Sequence, residues 1–293
     1  MGIIASAISA DGTIVCHAID STDITGRIQG IHRTSPVVTA ALGRLTAAAS
    51  LMGNQLKGDS DSITLRLKGG GPTGSLIAVS DSSGNPRAYV ENPVVELPLN
   101  DKGKLDVSGA VGKEGSLFVM KDLGMKEPYI SQTPIVSGEI AEDITYYFAQ
   151  SEQTPTVCAL GVLMAKDGSV ACSGGFIAHL LPFAPEQSIT LLENNLRDLP
   201  PVTSMLAQGK TAEDIALTVL AGSSAKITAQ FPAEYRCGCS RARVERALAD
   251  TGSRELNAMA DEQPVTEVSC HFCNKIYRFN PQELRELAKQ AEI

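Results

Sequence analysis

Four of the seven cysteines fall in two short knots near the end of the chain. The first is Tyr235-Arg236-Cys237-Gly238-Cys239-Ser240 and the second is Ser269-Cys270-His271-Phe272-Cys273-Asn274, with thirty residues between Cys239 and Cys270. Two close thiol pairs on separate loops make a tetrahedral S4 set, the arrangement that zinc takes in structural sites. The same four sulfurs can also form two disulfides. Cys270-x-x-Cys273 is an ordinary chelating loop. Cys237-x-Cys239 has a single intervening residue, a tight bite in which Gly238 relieves crowding.

Magnitudes make this more than a staple. A structural zinc contributes roughly 10–16 kcal/mol in peptides, whereas whole domains are stable by about 5–15 kcal/mol. A short unit built around such a site is expected to unfold when the metal is lost. Thiolates are the oxidisable form of cysteine, and Arg236, Arg241, Arg243 and Arg246 crowd the first pair, where they favour negative sulfur. An oxidant would convert neighbours to disulfides, Cys237 with Cys239 and Cys270 with Cys273. Disulfides cannot serve as thiolate ligands, so the metal would leave. Two other readings stay open on these residues. Cys270-x-x-Cys273 alone permits a thiol–disulfide oxidoreductase, although no thioredoxin-like βαβ pattern surrounds it. A constitutive zinc-stapled interaction protein is the third.

The remaining chemistry-bearing residues point nowhere else. His17, His32, His179 and His271 are scattered, and His271 is placed to replace a sulfur only if a thiolate were missing. Gly209-Lys210-Thr211 resembles the end of a phosphate-binding loop, but Ser204 stands where that pattern needs glycine and the preceding residues are helix-like. Gly69-Gly70-Gly71-Pro72-Thr73-Gly74 reads as a tight connection between strands. No Gly-x-Ser-x-Gly elbow is present, and no residue is assigned a catalytic role. Cys16, Cys158 and Cys172 sit in apolar, strand-like settings and read as small buried hydrophobes. Clustered rather than spread cysteines fit a reducing cytosol.

Composition bounds the partners. The net charge of −8 disfavours generic binding to nucleic acid or anionic membrane. Residues 234–293 carry nine Lys and Arg against ten Asp and Glu, which argues against a nucleic-acid-binding ribbon. No run is expected to reach the roughly 18 apolar residues of a membrane span. The start, Met1-Gly2-Ile3-Ile4-Ala5-Ser6, lacks the pattern of a signal peptide and loosely matches N-myristoylation. It reads better as a first strand.

The elements that must position the knots read as follows. Residues 1–20 form a hairpin around Asp11-Gly12. Ser35-Pro36 starts a buried helix that Gly53 is placed to end. Strands follow at Ile63–Leu67, Ser75–Val79, Ala88–Val90 and Ser116–Met120, then a helix over 138–151 and strands Val157–Leu163 and Ser169–His179. Residues 1–181 are thus an α+β domain with a mainly antiparallel sheet. Residues 182–231 are a helical linker, with helices through Ile189–Leu199, at 202–208 and at 211–221, whose apolar faces must dock on something. Residues 232–293 are a small zinc-binding unit, with helices at 240–249 and 252–260, strands Val265–Val268 and Ile276–Phe279, and a last helix from Asn280-Pro281.

With these residues in place, the chain resembles the heat shock protein 33 family, the 33 kDa chaperonins. The Cys-x-Cys and Cys-x-x-Cys pairs match that family's zinc motif in type and separation. Ser35–Arg44, Gly138–Asp143, Ser151-Glu152-Gln153, Gly174-Gly175-Phe176, Leu180-Leu181-Pro182 and Cys273-Asn274 also look like the family's. The resemblance implies a cytoplasmic holdase chaperone of the oxidative stress response, needing no ATP and inactive when reduced, with one zinc on Cys237, Cys239, Cys270 and Cys273. It implies that oxidation forms two disulfides, expels zinc, unfolds the C-terminal unit and destabilises the linker. Apolar surface then takes up unfolding client proteins, and activation involves a homodimer.

Overall fold

Alternating apolar residues and a Gly12 turn with φ +71° fold the first twenty residues into an antiparallel hairpin, β1 (Gly2–Ile8) and β2 (Ile14–Asp20). The structure, a computed structural model, describes residues 1–291. Glu292 and Ile293, the last two residues of the expected 232–293 unit, lie outside them. The fold is α+β and divides into two compact units, Met1–Arg236 and a C-terminal unit that begins at Cys237.

In the first unit, helices α1 (Thr22–His32) and α2 (Pro36–Gly53) follow the hairpin. Strands β3 (Ser62–Lys68), β4 (Ser75–Asp81) and β5 (Pro86–Val90), the short helix α3 (Val107–Val111), and strands β6 (Ser116–Asp122) and β7 (Tyr129–Pro134) come next. Helix α4 (Ala141–Tyr147) runs into a π-turn at Phe148–Glu152, and strands β8 (Thr156–Met164) and β9 (Val170–Leu180) complete the part expected to be a sheet domain. There are two antiparallel five-stranded sheets, ordered β5-β4-β3-β6-β7 and β10-β1-β2-β9-β8, where β10 is Lys226–Ala233.

Helix α2 packs on strands of both sheets. Its 18 residues have a mean hydropathy of 1.2, so by length and composition it meets the requirement for a membrane span, contrary to the sequence expectation. It is the core helix instead, 89% buried inside the fold. Ser35 does not cap it through its side chain; Ser35 Oγ donates to Val95 O at 2.8 Å and accepts from Val95 N at 3.1 Å. Gly53 is the last helical residue for a packing reason: a Cβ there would lie 2.5 Å from Ser80 Oγ and 2.6 Å from Asp81 O. The loop after β3 follows the same logic. A Cβ on Gly69 would stand 2.3 Å from the Gly112 carbonyl, so the glycine run serves backbone contact within the fold.

The stretch 182–231 holds α5 (Glu186–Arg197), α6 (Val202–Ala207) and α7 (Ala212–Val219), where helices are expected. Thr211 and Asp214 form a reciprocal capping box on α7. Strand β10, which the sequence reading lacks, begins in this stretch and runs two residues past it. Its burial alternates only from Lys226 to Gln230 and between exposed and half-buried, and its strand state comes from pairing with β1, from Gly2 opposite Ala233 to Ile8 opposite Lys226. Helices α6 and α7 bury Val202, Met205, Ile215, Ala216 and Val219 against the β1, β2 and β9 face that presents Ala5, Ala7, Cys16, Ala18, Phe176 and Ala178. By contrast α5 buries only Ser188 and Leu192. Cys16 and Cys172 are buried and Cys158 is half-buried.

Within the second unit, Ser240 Oγ accepts from the Arg243 amide and caps α8 (Arg241–Ala249). Helix α9 (Ser253–Glu262), the hairpin β11 (Thr266–Ser269) and β12 (Ile276–Phe279), and α10 (Pro281–Gln290) follow. Asn280 and Glu283 form the capping box of α10. Leu248, Leu256, Tyr277, Phe279 and Leu284 are the large residues of a small core.

Candidate metal centre

An irregular segment and a hairpin turn bring the sulfurs together. The first knot lies in the irregular segment just before the Ser240 cap. The second is the turn of the β11–β12 hairpin, where Cys270 N donates to Lys275 O at 2.9 Å and Asn274 N donates to Cys270 O at 2.8 Å. Asn274, directly after the last cysteine, takes the left-handed backbone (φ +56°) that closes this turn, a conformation that asparagine tolerates better than most residues.

The four Sγ atoms lie within 4.8 Å of one another. Cys237 and Cys270 approach to 3.6 Å, and Cys239 and Cys273 to 3.4 Å. A tetrahedral S4 site with metal–sulfur bonds of about 2.3 Å has edges of about 3.8 Å, so this donor set fits a zinc-sized ion. Backbone amides already point at sulfur: Cys239 N–H donates to Cys237 and Lys275 N–H to Cys273. These are the hydrogen bonds that favour a thiolate. All four cysteines are half-buried and free of disulfides. They are the only group of three or more candidate ligands among the described residues.

The electrostatics of the cluster are uneven. Burial pushes the Cys237 thiol well above the usual range, and burial likewise raises Cys273. Burial would raise Cys239 too, but hydrogen bonds from the Tyr277 hydroxyl and from the other three thiols outweigh it and bring Cys239 down to about 7. Tyr277 OH donates to Cys239 Sγ at 3.1 Å, and its own pKa is pushed up to about 12 by that bond.

Sequence reasoning missed Tyr277 and overrated the arginines. Tyr277 faces inward with Phe279 on β12, four residues beyond Cys273, and only the strand alternation hints at it. Arg241 is committed elsewhere. It pairs with Glu245 at 2.9 Å and Glu283 at 2.7 Å, donates to Arg278 O, and lies 4.3 Å from the Phe279 ring centroid. Arg236 pairs with Glu234 at 2.8 Å. Arg243 brings its guanidinium near the first knot, with Nη1 3.4 Å from where a Cβ on Gly238 would stand.

In the first unit, His17 and His179 share one cavity wall, with ring centroids 6.3 Å apart. His17 bonds Ser6 Oγ, and His179 bonds Thr156 Oγ1 and Gln55 Oε1. Their spacing in the sequence gives no sign of this proximity.

A family model described as Hsp33 protein matches residues 3–280. The chain is 46% identical over 289 residues to the 33 kDa chaperonin of Acetivibrio thermocellus, covering 99% of this chain and 97% of that one. It is 46% identical over 284 residues to the 33 kDa chaperonin of Clostridioides difficile, covering 97% of each. Among solved structures it is similar to the crystal structure of the 33 kDa chaperonin (heat shock protein 33 homolog) of Thermotoga maritima. The TM-score there is 0.88 at 35% identity, with 98% of both chains covered.

Proposed function

Because this chain belongs to the Hsp33 family, we propose that it is a redox-regulated, ATP-independent holdase chaperone of the cytoplasm whose switch is the four-cysteine cluster. The observation that carries the reading is that four half-buried sulfurs converge at one point of a unit with a small core. In the reduced state Cys237, Cys239, Cys270 and Cys273 hold one zinc ion, which ties the first knot to the β11–β12 hairpin. The tie matters because few large residues otherwise hold this unit together.

Oxidation acts on the sulfurs themselves. Each pair of thiolates gives up two electrons to one peroxide, which takes two protons from solvent and leaves as two waters, and an S–S bond forms. Cys237 joins Cys239 and Cys270 joins Cys273. Paired sulfurs offer no thiolate, so the metal is lost and the switch, residues 232–293, unfolds.

Residues 182–231 are then the release segment and residues 1–181 the platform. Helix α5, with two buried residues, is the weak point of this segment. Freeing α6 and α7 uncovers the apolar face of β1, β2 and β9, centred on Ala5, Ala7, Cys16 and Phe176. Order-to-disorder switching draws on low-stability segments of this kind. The exposed surface takes up unfolding polypeptides, and the active form is a homodimer. No nucleic acid or membrane takes part.

Peroxide combined with mild unfolding stress tests the proposal. Zinc release and free-thiol loss are followed together, and suppression of aggregation of a denatured client is measured next. One zinc and four thiols lost per chain, with gain of suppression, is the expected result. Oxidised, metal-free protein that leaves client aggregation unchanged would sink the chaperone reading.

A further inference from the structure

Chain order constrains how the release segment lets go. Helices α5–α7 lie between β9 and β10, two strands of one sheet. Strand β9 is interior, flanked by β2 and β8, whereas β10 is an edge strand that pairs with β1 alone. Unfolding that starts in the cysteine unit therefore reaches α7 only through β10. That strand is lightly held. Of its eight residues only Ala233 is buried, and its register on β1 shifts between Ser6 and Ala7. A cavity of about 530 Å³ lies between Phe231–Glu234 and the turn that carries Ser82 and Asn85.

The three residues after β10 are held by the other sheet. Glu234 N–H donates to Asn85 Oδ1 at 3.1 Å, and Arg236 N–H donates to Pro86 O at 3.0 Å. Asn85 is itself fixed, because its backbone N–H and its Nδ2 both donate to the Asp81 carboxylate, at 2.9 and 3.2 Å. Tyr235, between two exposed neighbours, is only 6% exposed. The Arg27 guanidinium stands over its ring, 5.9 Å from the centroid. Its hydroxyl reaches Ala88 O at 3.5 Å, an oxygen that also accepts from His32 Nε2 at 2.9 Å. Pro86 and Ala88 belong to β5, the edge strand of the second sheet.

We infer that Glu234–Arg236 is a clasp joining the edges of the two sheets, that Tyr235 is its pin, and that the seat of this ring against β5 sets how readily β10, and with it α5–α7, comes away. A buried aromatic ring carries far more contact area than the short side chains around it, and all of it is lost together when the ring leaves. Two backbone hydrogen bonds flanked by exposed side chains would not by themselves keep an edge strand from opening locally. The consequence for client uptake rests on the chaperone reading; the hold on β10 does not.

The test is residue-resolved amide exchange on the full, reduced, zinc-loaded chain, comparing the parent with Tyr235→Phe and Tyr235→Ala. Tyr235→Ala should speed exchange of the β10 amides bonded to β1, and of α7, by about a hundredfold, the effect of emptying an aromatic seat. Exchange in β3 and β4 and the zinc content should stay as in the parent, and Tyr235→Phe, which keeps the ring, should follow the parent throughout. The inference is overturned if β10 in Tyr235→Ala exchanges like the parent's, if exchange quickens equally across the first unit, or if zinc is lost as well. Should Tyr235→Ala misfold, the parent decides the matter. Under rising denaturant its Glu234 and Arg236 amides should open together with those of β10, and clasp amides that exchange freely while β10 stays protected overturn the inference. Peroxide-treated Tyr235→Ala should also suppress client aggregation at a lower temperature than the parent. Faster β10 exchange without that gain would support the clasp and count against the chaperone reading, so the two failures are distinguishable.

Discussion

Tyr277 OH donates a hydrogen bond to Cys239 Sγ across 3.1 Å, from the strand that follows one cysteine knot to the sulfur of the other. In the proposed zinc site this bond would steady a ligand without touching the metal. Groups in that position typically tune metal affinity by 10–100-fold. Tyr277→Phe keeps the ring in its core place and removes only the donor. Zinc affinity, measured by competition with a chromophoric chelator, should fall by about tenfold, and peroxide should release the metal faster. An unchanged affinity would show that the bond is incidental.

Sulfur pairing gives a second prediction. The recorded close approaches run between the knots, at 3.6 Å for Cys237 with Cys270 and 3.4 Å for Cys239 with Cys273. The proposed disulfides run within them. Unfolding of the switch during oxidation favours the within-knot pairs, because short loops close at small entropic cost even in a disordered chain. Peptide mapping of the fully oxidised protein should find Cys237–Cys239 and Cys270–Cys273. Cross-knot pairs would mean that oxidation traps the folded unit rather than dissolving it.

The covering role of α7 is testable without any oxidant. Ile215 is fully buried against the β1–β2–β9 face. Ile215→Ala should cost roughly 2–5 kcal/mol through lost burial and the cavity left behind. That loss falls on the docking of the release segment, so the reduced, zinc-loaded variant should bind an apolar dye and suppress client aggregation above the parent's basal level. A variant that loses stability but shows no basal gain would remove α7 from the switching scheme.

Stability should also fall in mild acid. Burial holds His179 at about 4, with neighbouring His17 lowering it further, and burial holds His17 at about 4. An unfolded imidazole titrates near 6.5. Between those values the unfolded chain binds more protons than the folded one, so stability is full above about 6.5 and is lost as pH falls towards 4. Each group is worth at most about 3 kcal/mol, less for the partly exposed His17. Asp11, whose carboxyl is held low by hydrogen bonds from Ser9, Thr13 and Ser188, acts only below its ordinary range and leaves this window clear. Urea midpoints of the first unit at pH 7.5 and 5 should differ, and His179→Gln should shrink the difference. Equal midpoints would refute the linkage.

Features of this protein written by local chemistry were legible in its sequence. The chelating spacing of the two knots depends on a few adjacent residues. So do the Thr211–Asp214 and Asn280–Glu283 capping boxes and the Asp11-Gly12 hairpin. Helix α1, with glycines at 26 and 30 and an αL residue at Arg33 closing it, has weak local propensity and went unread. Strand β10 became a strand only by pairing with β1, some 220 residues earlier. Gly53 is glycine because Ser80 and Asp81 crowd it, not because the helix must stop there. Around the sulfurs, spacing singled out the four cysteines that the fold gathers, but tertiary packing chose their neighbours. It placed Tyr277 against Cys239, drew Arg241 away to Glu245, Glu283 and Phe279, and set His17 beside His179. Ligand spacing is a property of a few consecutive bonds. Which group polarises a sulfur depends on contacts between distant segments, and those exist only once the chain has folded.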